Sequence, residues 1–140
     1  MSLSATERDT ICIDKGWMFH RGDISEVSQL KSAMQAQGEA VNLPHDFQIS
    51  QDWVAPDASE RPDNSDAGSN VRSRLSPRGF KEMGIGWYRY ELTPKEEWKG
   101  KRIVLDFQGI MLVGDVYLNG QRIGGTDYGY LGMDADISKL

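Results

Sequence analysis

Lys101-Arg-Ile-Val-Leu-Asp-Phe-Gln-Gly-Ile-Met-Leu-Val-Gly-Asp-Val-Tyr-Leu-Asn-Gly-Gln-Arg-Ile-Gly-Gly125 is the stretch whose reading decides the fold. In its first part Ile103, Leu105 and Phe107 alternate with Arg102, Val104 and Asp106, the period of a strand with one apolar face. Its second part contains Asn119-Gly120, the dipeptide that most readily takes positive φ at both central positions of a type I′ turn. A two-residue loop there pairs Leu118 with Gln121, Tyr117 with Arg122 and Val116 with Ile123. Val116, Leu118 and Ile123 would share one face, Tyr117 and Arg122 the other. The stretch predicts antiparallel β structure.

Composition agrees. The chain has 140 residues, enough for one domain with a core and too few for a second enzyme-sized one. Fifteen glycines, four Trp and five Tyr, with little helical periodicity, predict an all-β fold rich in turns. A net charge of −5 argues against nucleic acid and anionic membranes, which need clustered Lys and Arg. No apolar run approaches the roughly 20 residues that span a bilayer. The single cysteine, Cys12, excludes an internal disulfide and is expected as a small apolar strand residue.

The rest of the chain follows in order. Residues 1–10 are polar and expected to fray. Thr10-Ile-Cys-Ile-Asp14 reads as a short strand that Lys15-Gly16 turns into Trp17-Met-Phe-His20, with Trp17 and Phe19 facing the core rather than a sugar. Asp23-Ile-Ser-Glu26 has capping-box spacing, and Ile24, Val27, Leu30 and Met34 follow at helical intervals up to Gly38. One short surface helix is therefore expected. Ala40 to Phe47 is extended as far as Pro44. His45-Asp46 is not a catalytic pair, because adjacent residues of an extended segment point to opposite sides; Asp46 is expected in a buried polar pair instead. Residues 50–80 form a long polar loop, a length usually functional or disordered inside a compact domain. Gly84 to Leu92 reads as a strand with Trp87, Arg89 and Glu91 on one face and Tyr88, Tyr90 and Leu92 on the other. Gly84-x-Gly86 does not open a helix after a strand, so phosphate binding is a weak reading. Glu96 and Glu97 fit a solvated face, and Asp134-Ala-Asp136 alone is a poor calcium signal.

Five motifs in this order resemble the non-catalytic N-terminal domain of family 2 glycoside hydrolases, the β-galactosidase group. They are Gly16-Trp-Met-Phe19, Leu43-Pro-His-Asp46, Gly84-Ile-Gly-Trp-Tyr-Arg89, Phe107-Gln-Gly-Ile110 and Val116-Tyr-Leu-Asn-Gly-Gln-Arg-Ile-Gly124. The resemblance implies a galactose-binding-like jelly-roll β-sandwich. It also implies that residues 1–140 are a single accessory domain of a larger retaining hydrolase acting on terminal β-glycosidic bonds, with β-galactosides as the expected substrates, and that the loop before the Gly-Trp-Tyr motif faces the catalytic barrel. In the family both catalytic glutamates lie in a downstream (β/α)₈ barrel, beyond an immunoglobulin-like domain, so these domains are the expected partners, together with the carbohydrate substrate.

No pair of carboxyl groups in this chain stands out as acid and nucleophile, and no His/Cys spacing fits zinc. Neither a catalytic residue, a metal nor a cofactor is therefore expected in it. The family implies one sugar-contacting residue in the loop after the hairpin. Asp127 is the nearest match, with Tyr128 at the alternative position. Where the family has an asparagine before the Gly-x-Gly motif, this sequence has Met83. Asp46, Arg89, Trp87, Asn119 and Gly120 are expected to be structural. Asp46 and Arg89 would form an ion pair, worth about 3–5 kcal/mol on removal of one partner if it is buried.

Two other classes stay open at this point, a free-standing carbohydrate-binding module and a protein-interaction β-sandwich. Family domains continue past the Asp136-Ile-Ser-Lys-Leu140 turn. A jelly roll cut there would expose a strand edge and self-associate. Ser138-Lys-Leu140 matches a peroxisomal address, but falls where the family has an internal turn. The compartment stays undetermined, and a periplasmic or extracellular site is open if a leader was removed.

Overall fold

The structure is a computed structural model and describes residues 8–53, 81 and 84–139. Residues Met1–Tyr90 and Glu91–Leu140 are two compact units. Strands dominate both, with one short helix, as the sequence predicts.

In the first unit, β1 (Trp17–Arg21) is the middle strand of a three-stranded antiparallel sheet, flanked by β2 (Glu39–Val41) and β3 (Gly86–Arg89). The register sets Phe19 opposite Glu39 on one side and Tyr88 on the other. Helix α1 (Leu30–Gln37) links β1 to β2, after a 3₁₀ turn at Val27–Gln29. Of the expected apolar stripe, Leu30 and Met34 lie on the helix and Val27 on the 3₁₀ turn, while Ile24 precedes both; Ile24 and Met34 are buried. The helix starts later than Asp23, however. Glu26 is extended (φ −136°, ψ 126°), which separates Asp23 from the helical turn that a capping box needs. Gly38 stops the helix, its N–H bonded to the Met34 carbonyl at 2.9 Å. It leaves in extended geometry (φ −79°, ψ 148°), and a side chain there would strike that same carbonyl.

Two expectations fail in this unit. Residues 10–14 form no strand and Cys12 is exposed. The segment is tied to its neighbour by a backbone bond, Leu43 N–H to Asp14 C=O (2.7 Å), and a side-chain bond, Gly16 N–H to Asn42 Oδ1 (3.3 Å). Two such ties do not make a ladder that would bury Cys12. The strand expected over Gly84–Leu92 is shorter, four residues long in β3.

The second unit pairs β4 (Val104–Phe107) with β7 (Met133–Asp136), and β5 (Gly114–Leu118) with β6 (Gln121–Thr126), both antiparallel. In β4 the predicted alternation holds, with Leu105 and Phe107 half-buried and Val104 and Asp106 exposed. Ala135 and Ile137 are buried. The hairpin turns at Asn119 (φ 51°) and Gly120 (φ 86°), both in the left-handed region the dipeptide favours. Leu118 pairs with Gln121 and Tyr117 with Arg122 as read, but Val116 then faces Gly124 across a bulge. The bulge inserts Ile123 as an unopposed residue and shifts the register beyond it.

Candidate functional site

Strand β6 ends at Thr126, and this residue builds the loop that follows. Its Oγ1 accepts the Tyr128 N–H at 3.1 Å and donates to the Tyr128 carbonyl at 3.0 Å. The closed turn holds Asp127 at its apex, exposed. Tyr128 and Tyr130 follow, 55% and 76% exposed, with ring centroids 5.6 Å apart at 54°. Met111 and Val113, in the loop between β4 and β5, are 66% and 73% exposed. That loop sits beside the tyrosine turn: a Cβ at Gly129 would lie 2.5 Å from Met111 Sδ. An exposed carboxylate thus rises beside an apolar, aromatic rim. Such a combination accepts hydroxyl hydrogen bonds at one point and packs against carbon-bound hydrogens beside it.

The hairpin below is braced by charge, Arg122 Nε donating to Asp115 Oδ1 at 2.8 Å. A second brace closes the β4–β7 pair. Asp136 accepts bonds from Arg102 Nε (2.9 Å), the Ser138 N–H (3.0 Å) and the Ser138 hydroxyl (2.5 Å), while Ser138 Oγ also accepts the Ile103 N–H at 2.8 Å. Those hydrogen bonds, from Ser138 first and Arg102 next, hold the Asp136 carboxyl well below the usual carboxylate range. The Asp134-x-Asp136 spacing is therefore explained by a strand edge and its turn. Among the described residues no group of three acidic, His or Cys side chains is placed to hold a metal.

In the first unit, Phe19 is the hub of an aromatic cluster. Its ring centroid lies 4.8 Å from Tyr88, 5.0 Å from His45 and 5.4 Å from Phe47. Gly86 is required by this packing, because a Cβ there would lie 2.7 Å from Phe19 Cε2 and 3.0 Å from Phe47 Cε1. The Gly-x-Gly motif is a close approach of backbone to rings. His45 Nδ1 and the Tyr88 hydroxyl are hydrogen-bonded at 2.8 Å. Burial first, then the charges of Asp46 and Glu39, push the Tyr88 hydroxyl up to about 12. His45 is half-buried within the cluster while Asp46 points outward and is exposed, accepting the Gln48 N–H at 2.9 Å. The expected burial of Asp46 is corrected accordingly: a short turn satisfies its carboxylate at the surface. The cost of breaking a buried ion pair with Arg89 therefore does not apply to Asp46. Arg89 lies opposite Met18 on β3, and Trp87 opposite His20.

Met83 and residues 54–80 of the long loop lie outside the described residues. At its near end, Lys81 Nζ donates to the Gln51 carbonyl at 2.5 Å and stands 4.3 Å from the centre of the exposed Trp53 ring. Sequence reasoning missed Phe47 and the rim residues Met111, Val113 and Tyr130. The signal for the rim was available: consecutive apolar residues 110–113 in a segment that interrupts the strand alternation.

Comparison with known proteins converges on one family. Residues 84–140 match the family model described as the glycosyl hydrolase 2 galactose-binding domain-like family. These residues carry that galactose-binding-like domain. The chain is 27% identical over 136 residues to the β-galactosidase BoGH2A of Bacteroides ovatus, covering 97% of this chain and 14% of that enzyme. It is 35% identical over 71 residues to a β-glucuronidase of Bacteroides fragilis, covering 51% of this chain and 10% of the enzyme. The crystal structure of a Bacteroides uniformis β-glucuronidase superposes with a TM-score of 0.65 at 21% identity, over 94% of this chain and 13% of that one. The chain thus spans about one-tenth to one-seventh of the length of these relatives. The loop carrying Asp127 falls within the region the glycosyl hydrolase 2 model covers.

Proposed function

We propose that this chain is the non-catalytic N-terminal domain of a larger retaining β-glycoside hydrolase acting on terminal β-galactosides. It supports the catalytic barrel and shapes one wall of its sugar pocket. The observation that carries this reading is the Thr126-closed turn, which presents the Asp127 carboxylate beside an exposed tyrosine pair in the galactose-binding-like region. In the whole enzyme Asp127 accepts hydrogen bonds from sugar hydroxyls, and the Tyr128–Tyr130 rim keeps that contact partly dry. The acid and nucleophile come from the barrel, where a retaining mechanism holds its two carboxyl groups about 5–5.5 Å apart.

The relatives include a β-galactosidase and a β-glucuronidase, so substrate choice is tested in parallel with the division of labour. The purified chain is assayed with nitrophenyl β-galactoside and nitrophenyl β-glucuronide, and no turnover is expected with either. Steady hydrolysis that disappears on changing an Asp or Glu within this chain would overturn the non-catalytic assignment. For the whole enzyme, kcat/KM is expected to favour the galactoside; a preference for the glucuronide would contradict the substrate and leave the domain's role standing.

A further inference from the structure

The first unit contains a cleft that the role above does not use. Its volume is about 560 Å³, within the roughly 300–1,000 Å³ of small-molecule sites. Leu43 and Tyr90 supply its apolar lining, and Asp14, Lys15 and Asn42 its polar lining, with Cys12 at the edge. The walls are built rather than fortuitous. Leu43 N–H bonds the Asp14 carbonyl at 2.7 Å, and Asn42 Oδ1 accepts the Gly16 N–H at 3.3 Å. Trp17 Nε1 donates to the Ile13 carbonyl at 2.6 Å, and the Trp17 ring packs on Tyr90 with centroids 5.1 Å apart. These bonds hold the segment before β1 against the segment after β2 and fix Tyr90 between them. The cleft is thereby preformed, which lowers the ordering cost of binding.

The groups left over share one chemistry. Among the described residues, the Asp14 carboxylate, the Lys15 ammonium, the Asn42 amide N–H₂ and the Tyr90 hydroxyl carry no hydrogen bond or ion pair. Asp14 only accepts and Lys15 only donates, while the Asn42 amide adds donors and the Tyr90 hydroxyl does both. Such a mixture around an aromatic and an aliphatic side chain matches a pyranose ring, whose vicinal hydroxyls both donate and accept and whose axial C–H face is apolar. One acid and one base leave the cleft without net charge, which disfavours an ionic ligand.

We propose that this cleft is a saccharide-binding site that takes one neutral pyranose unit of a glycan, packed on Tyr90 and Leu43 and hydrogen-bonded by Asp14, Lys15 and Asn42. It goes beyond the role assigned to Asp127 and is tested independently of it.

Cys12 makes the test direct, because it is the chain's single cysteine, is exposed and lines the cleft. The rate of its reaction with Ellman's reagent is measured with methyl β-galactopyranoside and with methyl β-glucuronide. The reaction of free cysteine with the same reagent serves as the control. At about four times its dissociation constant the neutral sugar is expected to slow the reaction about fivefold by mass action, with the glucuronide weaker. Asp14→Ala removes an exposed side chain, leaving the backbone carbonyl that holds the cleft. It is expected to abolish protection, scored against the variant's own rate without sugar, while circular dichroism stays unchanged. Tyr90→Phe is expected to weaken protection and keep the ring packing. No protection up to about 100 mM, far past a millimolar constant, would overturn the proposal. So would equal protection in Asp14→Ala, or stronger protection by the glucuronide.

Discussion

The two units are held together by different means. In the first, a three-stranded sheet is fixed by side chains distant in sequence, with Phe19 touching rings from His45, Phe47 and Tyr88. In the second, the β5–β6 hairpin is fixed by its Asn119-Gly120 turn, and the β4–β7 pair by a polar clasp at its end, where Asp136 and Ser138 bond Arg102 and Ile103. The first depends on close packing, which tolerates neither a missing ring nor an added methyl. The second depends on turn geometry and exposed polar clasps, each worth little by itself. The loops that carry the candidate sugar contact belong to the second unit, where an exposed rim leaves the core untouched.

Substitutions that attack each mode of construction sharpen this contrast. Phe19, 3% exposed, is the hub of the ring cluster. Phe19→Ala is expected to cost about 3–5 kcal/mol in denaturant unfolding, and a loss below about 1 kcal/mol would dissolve the idea of a hub. Gly86→Ala adds one methyl 2.7 Å from Phe19 Cε2, and overpacking there is expected to cost about 1–3 kcal/mol. In the second unit, Gly120→Ala meets open space, so only the positive φ of 86° opposes it. Its cost is expected at about 1 kcal/mol, smaller than that of Gly86→Ala. The reverse order would contradict the contrast between packing and turn geometry.

The smallest effect concerns Tyr88. Its folded-state value near 12 lies above the ordinary value of 10. Between these values the folded chain holds a proton that the unfolded chain has lost, so stability falls as pH rises through that window and is unaffected well below it. Absorbance titration of the tyrosinates is expected to show a component ionising near pH 12 that disappears in Tyr88→Phe. A titration near pH 10 alone would contradict the burial of that hydroxyl.

The same contrast explains what was legible in the sequence. The Asn-Gly turn, the alternation in β4 and the Leu30–Met34 spacing are local patterns, and each survives in the structure. The bulge opposite Val116 was missed in the reading of the hairpin, although Gly124-Gly125 within the strand is the kind of glycine signal that marks one. Residues 10–14 carry strand-forming side chains, yet a strand needs a partner ladder, and their neighbour supplies only two bonds. Asp46 was read as buried because it follows Pro44-His45 beside a core strand; the Gln48 N–H two residues on offered a cheaper partner at the surface. The Asp127 turn was located only through the family resemblance. Thr126, two residues before Tyr128, is a weak turn signal that alone does not mark a site.

The most direct test of the account is the kinetics of the whole hydrolase carrying Asp127→Ala, with Asp106→Ala, an exposed carboxylate on β4, as the control. A hydrogen bond to a charged group is worth about 1.5–3 kcal/mol. Losing it at the sugar is expected to lower kcat/KM for a β-galactoside about 10- to 100-fold, with folding intact and the control unchanged. Wild-type kcat/KM in a folded Asp127→Ala enzyme would contradict the claim that this domain forms a wall of the sugar pocket through that residue.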